Sequence, residues 1–237
     1  MSGTTLQRLP AAYAPTRGAL HRLAVYVISP AQRLVNGEII MRPTPGGFST
    51  FEFGDGRTVG VRGDRLVVNG AEHPITSLRA AAELVGIEPD TEQQDQFDVP
   101  LYGDLDEQLP VEEDAALALG DWYAFAAQAL EALRSLATEE DDATIVRLWP
   151  EHFDVAIDMG NGDAGSRATY GASPGDRHHD EPYIYASPWA GRIDGFFDDR
   201  EFRGASLLRP QLEREADPGR AAVEFLRDAW TRVQAQG

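Results

Sequence analysis

Closely spaced turn dipeptides restrict what the first half of this chain can become. Asp55-Gly56, Gly63-Asp64 and Asn69-Gly70 separate short apolar runs at residues 48–53, 58–61 and 65–68. Asn-Gly and Asp-Gly supply the positive φ of tight hairpins, so the runs are expected to return antiparallel to one another as a meander. Phe51 and Phe53 fall on one face, with Glu52 on the other. A strand at 38–42 should precede them, ended by the breakers Pro43, Pro45, Gly46 and Gly47. That Gly-Gly pair beside Arg42 could offer amides to an anion, but a plain turn explains it better.

Helical spacing takes over elsewhere. Leu20, Leu23, Ala24, Val27 and Ile28 predict a helix over 16–28, capped by Thr16 and limited by Pro30. His21 flanks its apolar face and reads as a boundary residue. Leu78, Ala81, Ala82 and Val85 predict a second helix, begun at Thr76 or Ser77 and ended by Gly86, with His73 in the connection before it. A third carries Leu119, Trp122, Ala126, Ala129, Leu130, Leu133 and Leu136, and a last one opens at Asp217-Pro218. Between these two, strands are expected at 144–159, 166–172 and 183–187, the first interrupted at Pro150. Runs of strands and runs of helices without βαβ alternation predict an α+β fold, with antiparallel sheets and helices packed on them. One composite domain over 1–237 is expected, because neither half alone offers a comfortable core.

Charge is uneven along the chain. The net charge is -18, every basic residue is arginine, and none occurs between Arg79 and Arg134. That interval contains an acidic, proline-containing connection at about 88–114, whose apolar residues are scattered: Phe97, Val99, Leu101, Tyr102, Leu105 and Leu109. It is expected to be a solvated connection, or else a loop or lid pinned by those residues. A phosphate backbone needs a basic footprint, and none is visible, so nucleic acid and anionic membrane are disfavoured as partners. There is no cysteine, which excludes disulfides, thiolate nucleophiles and cysteine-bound zinc. The opening residues carry no apolar signal region and no run approaches a membrane span, so a cytoplasmic setting is expected.

Chemistry-bearing residues concentrate between Thr144 and Trp189. Gly171-Ala172-Ser173-Pro174-Gly175 has the spacing of a hydrolase nucleophile elbow. Pro174 has no N–H to give an oxyanion, and no histidine follows His179, so a Ser-Pro-Gly turn is the better reading. Asp158, Asn161 and Asp163 among glycines offer hard oxygens, yet their spacing is that of a hairpin loop rather than an EF-hand. His152 and Asp154 should share one face of a strand. Asp176, His178, His179, Asp180 and Glu181 stand at the mouth of the next hairpin. If the strands are adjacent, His152, Asp154, His179 and Glu181 form a ligand set for a divalent metal; no other cofactor is evident. The same groups could serve as general acid and base.

Leu148-Trp149-Pro150-Glu151-His152-Phe153-Asp154, Tyr170-Gly171-Ala172-Ser173-Pro174-Gly175-Asp176 and Glu181-Pro182-Tyr183-Ile184-Tyr185 carry a resemblance, as do Ala19-Leu20-His21-Arg22-Leu23-Ala24 and residues 42–48. On these motifs the chain resembles a family of uncharacterised actinobacterial proteins. The resemblance implies a shared fold and a soluble bacterial setting, and no reaction. Relatives usually have proline where this chain has Asp180, and a W-N-x-P-F-G-A run in place of 196–205.

Two functions are consistent with these residues. In the first, a small polar ligand is bound or transformed in a pocket around 149–189, lined by Trp149, His152, Asp154, Tyr170, His179, Glu181, Tyr183 and Tyr185. In the second, a non-catalytic interaction protein uses the acidic segment to meet a basic partner, with binding that weakens in salt. Neither names a reaction or fixes the oligomeric state.

Overall fold

The helical periodicity near Thr16 proves longer than its proline suggested. In the computed structural model of the chain, which describes residues 6–54, 56–95, 99–191, 194–199 and 203–235, helix α1 spans Tyr13–Leu23. It runs through a π-helical turn, Ala24–Ile28, directly into α2, Ser29–Asn36. Pro30 ends nothing, because it lies in the first turn of α2, where a missing N–H costs little. The π turn is wholly buried, and Gly37 ends α2 in the left-handed conformation.

The chain divides into two compact units. The N-terminal unit comprises Arg8–Ala124 and Arg147–Asp154; the C-terminal unit comprises Met1–Gln7, Phe125–Val146 and Val155–Gly237.

After α2, the N-terminal unit forms the expected meander: β1 (Met41–Thr44), β2 (Gly47–Thr50), β3 (Val59–Arg62), β4 (Arg65–Val68) and β5 (Ala71–Pro74). Asp55, one half of an expected turn, lies outside the described residues. Helix α3 (Leu78–Val85) packs on β4; Ser77 caps it by accepting from the Ala80 amide, and left-handed Gly86 closes it. Helix α4 (Glu113–Arg134) begins in this unit, and β6 (Arg147–Trp149) completes the strand order β6-β1-β2-β3-β4-β5. The pairs are antiparallel. His73, expected in a connection, is instead paired with Leu66 in β5. The Gly46-Gly47 turn is filled by packing: a Cβ on Gly120 of α4 would meet the Gly46 carbonyl carbon and the Gly47 nitrogen at 2.5 Å.

The acidic segment is solvent-exposed along most of its described length, with Leu109 buried, but it is pinned rather than loose. It is tied to the N-terminal unit at both ends and between. The Asp90 amide donates to the Tyr26 carbonyl, Tyr26 Oη donates to the Pro100 carbonyl, and Arg79 N and Leu109 N bond Leu105 O and Thr76 O. The Thr16 hydroxyl bonds the Pro110 carbonyl and receives the Glu112 amide. Thr16, expected to cap α1, is thus a buried anchor for the segment. Phe97 and Asp98 lie outside the described residues.

In the C-terminal unit, β7 (Asp154–Met159, of which Val155 onward belongs to this unit), β8 (Ala168–Ser173), β9 (Tyr183–Pro188) and β10 (Ala205–Leu208) form the antiparallel order β10-β9-β8-β7. The short α5 (Arg209–Leu212) and α6 (Pro218–Gln234) follow, α6 capped by Asp217 as its Asp-Pro start predicts. Helix α6 lies against β8, β9 and β10. The fold is α+β, with antiparallel strands and helices packed on them. No helix among the described residues is long and apolar enough to cross a membrane.

Candidate functional site

Register decides which residues of the C-terminal unit can act together. Tyr170 pairs with Ala186, and Gly171 with Tyr185. Because side chains alternate, one face carries Ile157, Ala168, Tyr170, Ala172, Ile184 and Ala186, all buried. This is the face suited to the buried stripe of α6: Ala222, Leu226, Ala229 and Val233. The other face carries Asp158, Thr169, Gly171, Ser173, Tyr183, Tyr185, Ser187 and Ser206. It is polar and aromatic, and Asp158, Thr169, Tyr185, Ser187 and Ser206 are only part-buried. Tyr185 lies across Gly171: a Cβ there would come within 2.5 Å of the phenol ring, so the glycine makes room for it.

At one end of this face, polar groups gather around two carboxylates. Asp176 accepts the Tyr183 hydroxyl at 2.6 Å and the amides of His178 and His179 at 2.8 and 2.9 Å. Burial works against its charge. The hydrogen bonds from Tyr183 and from the His179 and His178 amides, with the nearby His179 ring, outweigh it and hold Asp176 below the usual carboxylate range. Asp199 accepts the Ser206 hydroxyl at 2.7 Å and faces His179 Nε2 at 3.4 Å, both through Oδ2. The His179 ring stands edge-on to Tyr183, with centroids 4.7 Å apart.

This geometry fixes what the groups can do. The Ser206 hydroxyl is directed at the carboxylate, not at the imidazole, so it is not an activated nucleophile. A His179 tautomer with its proton on Nε2, toward Asp199, would leave Nδ1 as its acceptor nitrogen. A part-exposed imidazole oriented by a buried carboxylate suits proton transfer. Ser173 closes a turn by accepting the Gly175 amide, as the Ser-Pro-Gly reading expects. Asn161 likewise closes its loop on the amides of Asp163 and Ala164.

Of the residues singled out from sequence, His179, Tyr183 and Tyr185 come together here. Glu181 is exposed in the loop before β9. Tyr170 is on the opposite face, fully buried; its hydroxyl finds no partner among the described residues, and burial, with the Asp141 charge second, pushes its pKa up. Trp149, His152 and Asp154 belong to the N-terminal unit. The expected metal ligands are therefore divided between the units. Among the described residues, no group of three or more histidine, aspartate or glutamate side chains could hold a metal ion. Asp199 and Ser206 escaped the sequence reading because no motif marks them; only the pairing of β9 with β10 brings Ser206 beside Tyr185.

The N-terminal unit has a second polar cluster, built on the turn between Trp149 and Asp154. Phe153 takes φ 55°, a conformation that bulky residues avoid. Its ring is buried, stacked on His21 at 4.8 Å and edge-on to Phe48 and Tyr123. Its carbonyl accepts the Tyr123 hydroxyl at 2.6 Å, and its amide donates to Trp149 O at 2.7 Å. His21 bonds the Pro150 carbonyl at 2.9 Å. Burial of His21 lowers its pKa to about 3, against the pull of the Pro150 and Glu151 carbonyls. The ring is thus neutral at ordinary pH and works as a latch on the turn. Tyr123 is raised well above its ordinary value by burial, then by the neighbouring Tyr13 and Asp154. Tyr13, Arg17 and His21 recur every four residues on α1, a spacing that could have pointed to one shared polar face. His152 is exposed and Asp154 buried, so the two neighbours do not present together.

A scan against protein-family models finds no match, and neither the curated proteins nor the solved structures give one.

Proposed function

We propose that this chain binds a small polar ligand without negative charge on the mixed polar and aromatic face of β7–β10, with His179 as the group that gives or takes a proton there. The observation that carries this is the oriented pair His179–Asp199 beside Tyr183, on a face whose other half-exposed groups are, Leu208 apart, hydroxyls and carboxylates among the described residues. An anion is disfavoured, because Asp158, Asp176 and Asp199 all lie on or beside this face and the chain has a net charge of -18. Thermal melts against a panel of sugars, polyols, nucleosides and amino acids test the reading. A ligand of the folded state raises the melting temperature of the wild type, and that shift should disappear in His179→Ala and shrink in Tyr183→Phe. A panel without any stabiliser, or a shift retained in full by His179→Ala, contradicts it.

A further inference from the structure

Trp189 is 60% exposed, yet it is not loosely placed. Its indole Nε1 donates to Thr169 Oγ1 at 3.0 Å, and Thr169 passes its own proton to Asp158 Oδ1 at 2.7 Å. The Arg167 guanidinium stands 5.1 Å from the ring centroid. Arg167 is itself fixed, by Asp142 and by the Gly160 carbonyl. The backbone joins in, since Trp189 N donates to Arg167 O. The indole is thus fixed at its N–H, at its backbone amide and beside a guanidinium while most of it faces water.

What surrounds the indole narrows what it can receive. Asp158 uses Oδ1 for Thr169, and among the described residues its Oδ2 accepts nothing, so a charged acceptor stands beside the ring. Thr169 and Ser187, paired across β8 and β9, add hydroxyls. Arg167 directs its Nη donors at Asp142 and at the Gly160 carbonyl, so among the described residues this guanidinium is engaged rather than open to a phosphate or carboxylate. A ring with apolar C–H faces and several hydroxyl donors satisfies both the indole and the carboxylate. The face also has length. Ser173 stands four positions along β8 from Thr169, about 13 Å at strand rise. Tyr185 lies between, and the Tyr183–His179 group lies at the far end.

The geometry points to a carbohydrate-binding site: Trp189 stacks on a neutral sugar ring, Asp158 accepts its hydroxyls, and a short oligosaccharide runs along the face toward Tyr185 and His179. This assignment rests on the ligand face proposed above and names the class of its ligand.

Isothermal titration calorimetry with maltose, cellobiose, xylobiose and diacetylchitobiose, a readout that does not depend on the indole, tests it, with circular dichroism confirming that each variant folds. At least one disaccharide should bind the wild type saturably. Binding should weaken at least tenfold in Trp189→Ala, less in Trp189→Phe, and again in Asp158→Asn. Absence of binding by all four sugars, or equal binding by Trp189→Ala, overturns the assignment. The two readings separate in the same set of samples. If no sugar binds but a nucleoside or amino acid stabilises the wild type and not His179→Ala, the ligand face stands and the carbohydrate assignment falls. If nothing binds, both fall.

Discussion

The amide of Asp90 donates to the carbonyl of Tyr26 at 2.9 Å, a carbonyl that Pro30, four residues on and without an N–H, cannot serve. The acidic segment thus completes the hydrogen bonding of a buried helix. Tyr26 Oη returns the contact, donating to the Pro100 carbonyl at 2.5 Å. A proline and a π-helical turn, which look like interruptions in the sequence, become the attachment point for a segment with no core of its own.

Tyr26→Phe should therefore loosen the segment without unfolding α1. We expect a loss of about 1 kcal/mol, the usual net worth of one hydrogen bond, measured by urea denaturation. Amide exchange should rise across residues 99–109 and stay unchanged in β3 and β4. Unaltered exchange in 99–109 would show that other contacts hold it.

Acid should weaken the fold through His21. Its folded pKa is about 3, below the ordinary 6.5. The unfolded chain therefore takes up the proton first, and this contribution to stability is full above pH 6.5 and lost as pH falls toward 3. The slope approaches ~1.4 kcal/mol per pH unit in that window. Asp176, held low, adds its own loss only below the ordinary carboxylate range. Denaturation midpoints between pH 7 and pH 4.5 should fall in the wild type and flatten in His21→Gln. A wild-type midpoint that does not change over this range would rule out a buried, neutral His21.

Much of the fold was legible because local signals agreed. Gly63-Asp64 and Asn69-Gly70 marked the hairpins, Ser77 and Gly86 bounded α3, and Asp217-Pro218 opened α6. The site was less legible. Tyr170 and Tyr185 look alike in sequence, and only the register across β8 and β9 separates a buried phenol from one on the open face. Pro150 announced a break in the strand, but nothing local announced that Phe153 would take a positive φ, since the aromatic rings packed on it come from residues distant in sequence. Asp199 and Ser206 become visible only when β10 pairs with β9.

Phe153 offers a test of that strain. Removing the ring should cost roughly 3–5 kcal/mol, as for other buried aromatics. Glycine should be the better replacement, since at φ 55° alanine keeps the Cβ penalty and glycine does not. Phe153→Gly should exceed Phe153→Ala in stability by about 1 kcal/mol. The opposite order would mean that the turn relaxes to negative φ once the ring is gone.

Gly120 reverses a familiar rule. In an exposed helix interior, alanine is better than glycine by about 1 kcal/mol. Here an added Cβ would meet the Gly46-Gly47 backbone at 2.5 Å. Gly120→Ala should lower the melting temperature, whereas Gly18→Ala on α1, with nothing within 4 Å, should raise it or leave it unchanged. A stabilised Gly120→Ala would mean that α4 can retreat from the turn without cost.

The most direct test of the ligand face is the indole N–H resonance of Trp189, read by nitrogen-edited NMR while the disaccharides are added. The chain has four tryptophans, so the signal can be assigned by its loss in Trp189→Phe. This resonance and the amides of Thr169, Tyr185 and Ser187 should shift together and saturate, while those of β3 and β4 stay still. Shifts confined to other residues, or none at saturating sugar, would contradict this.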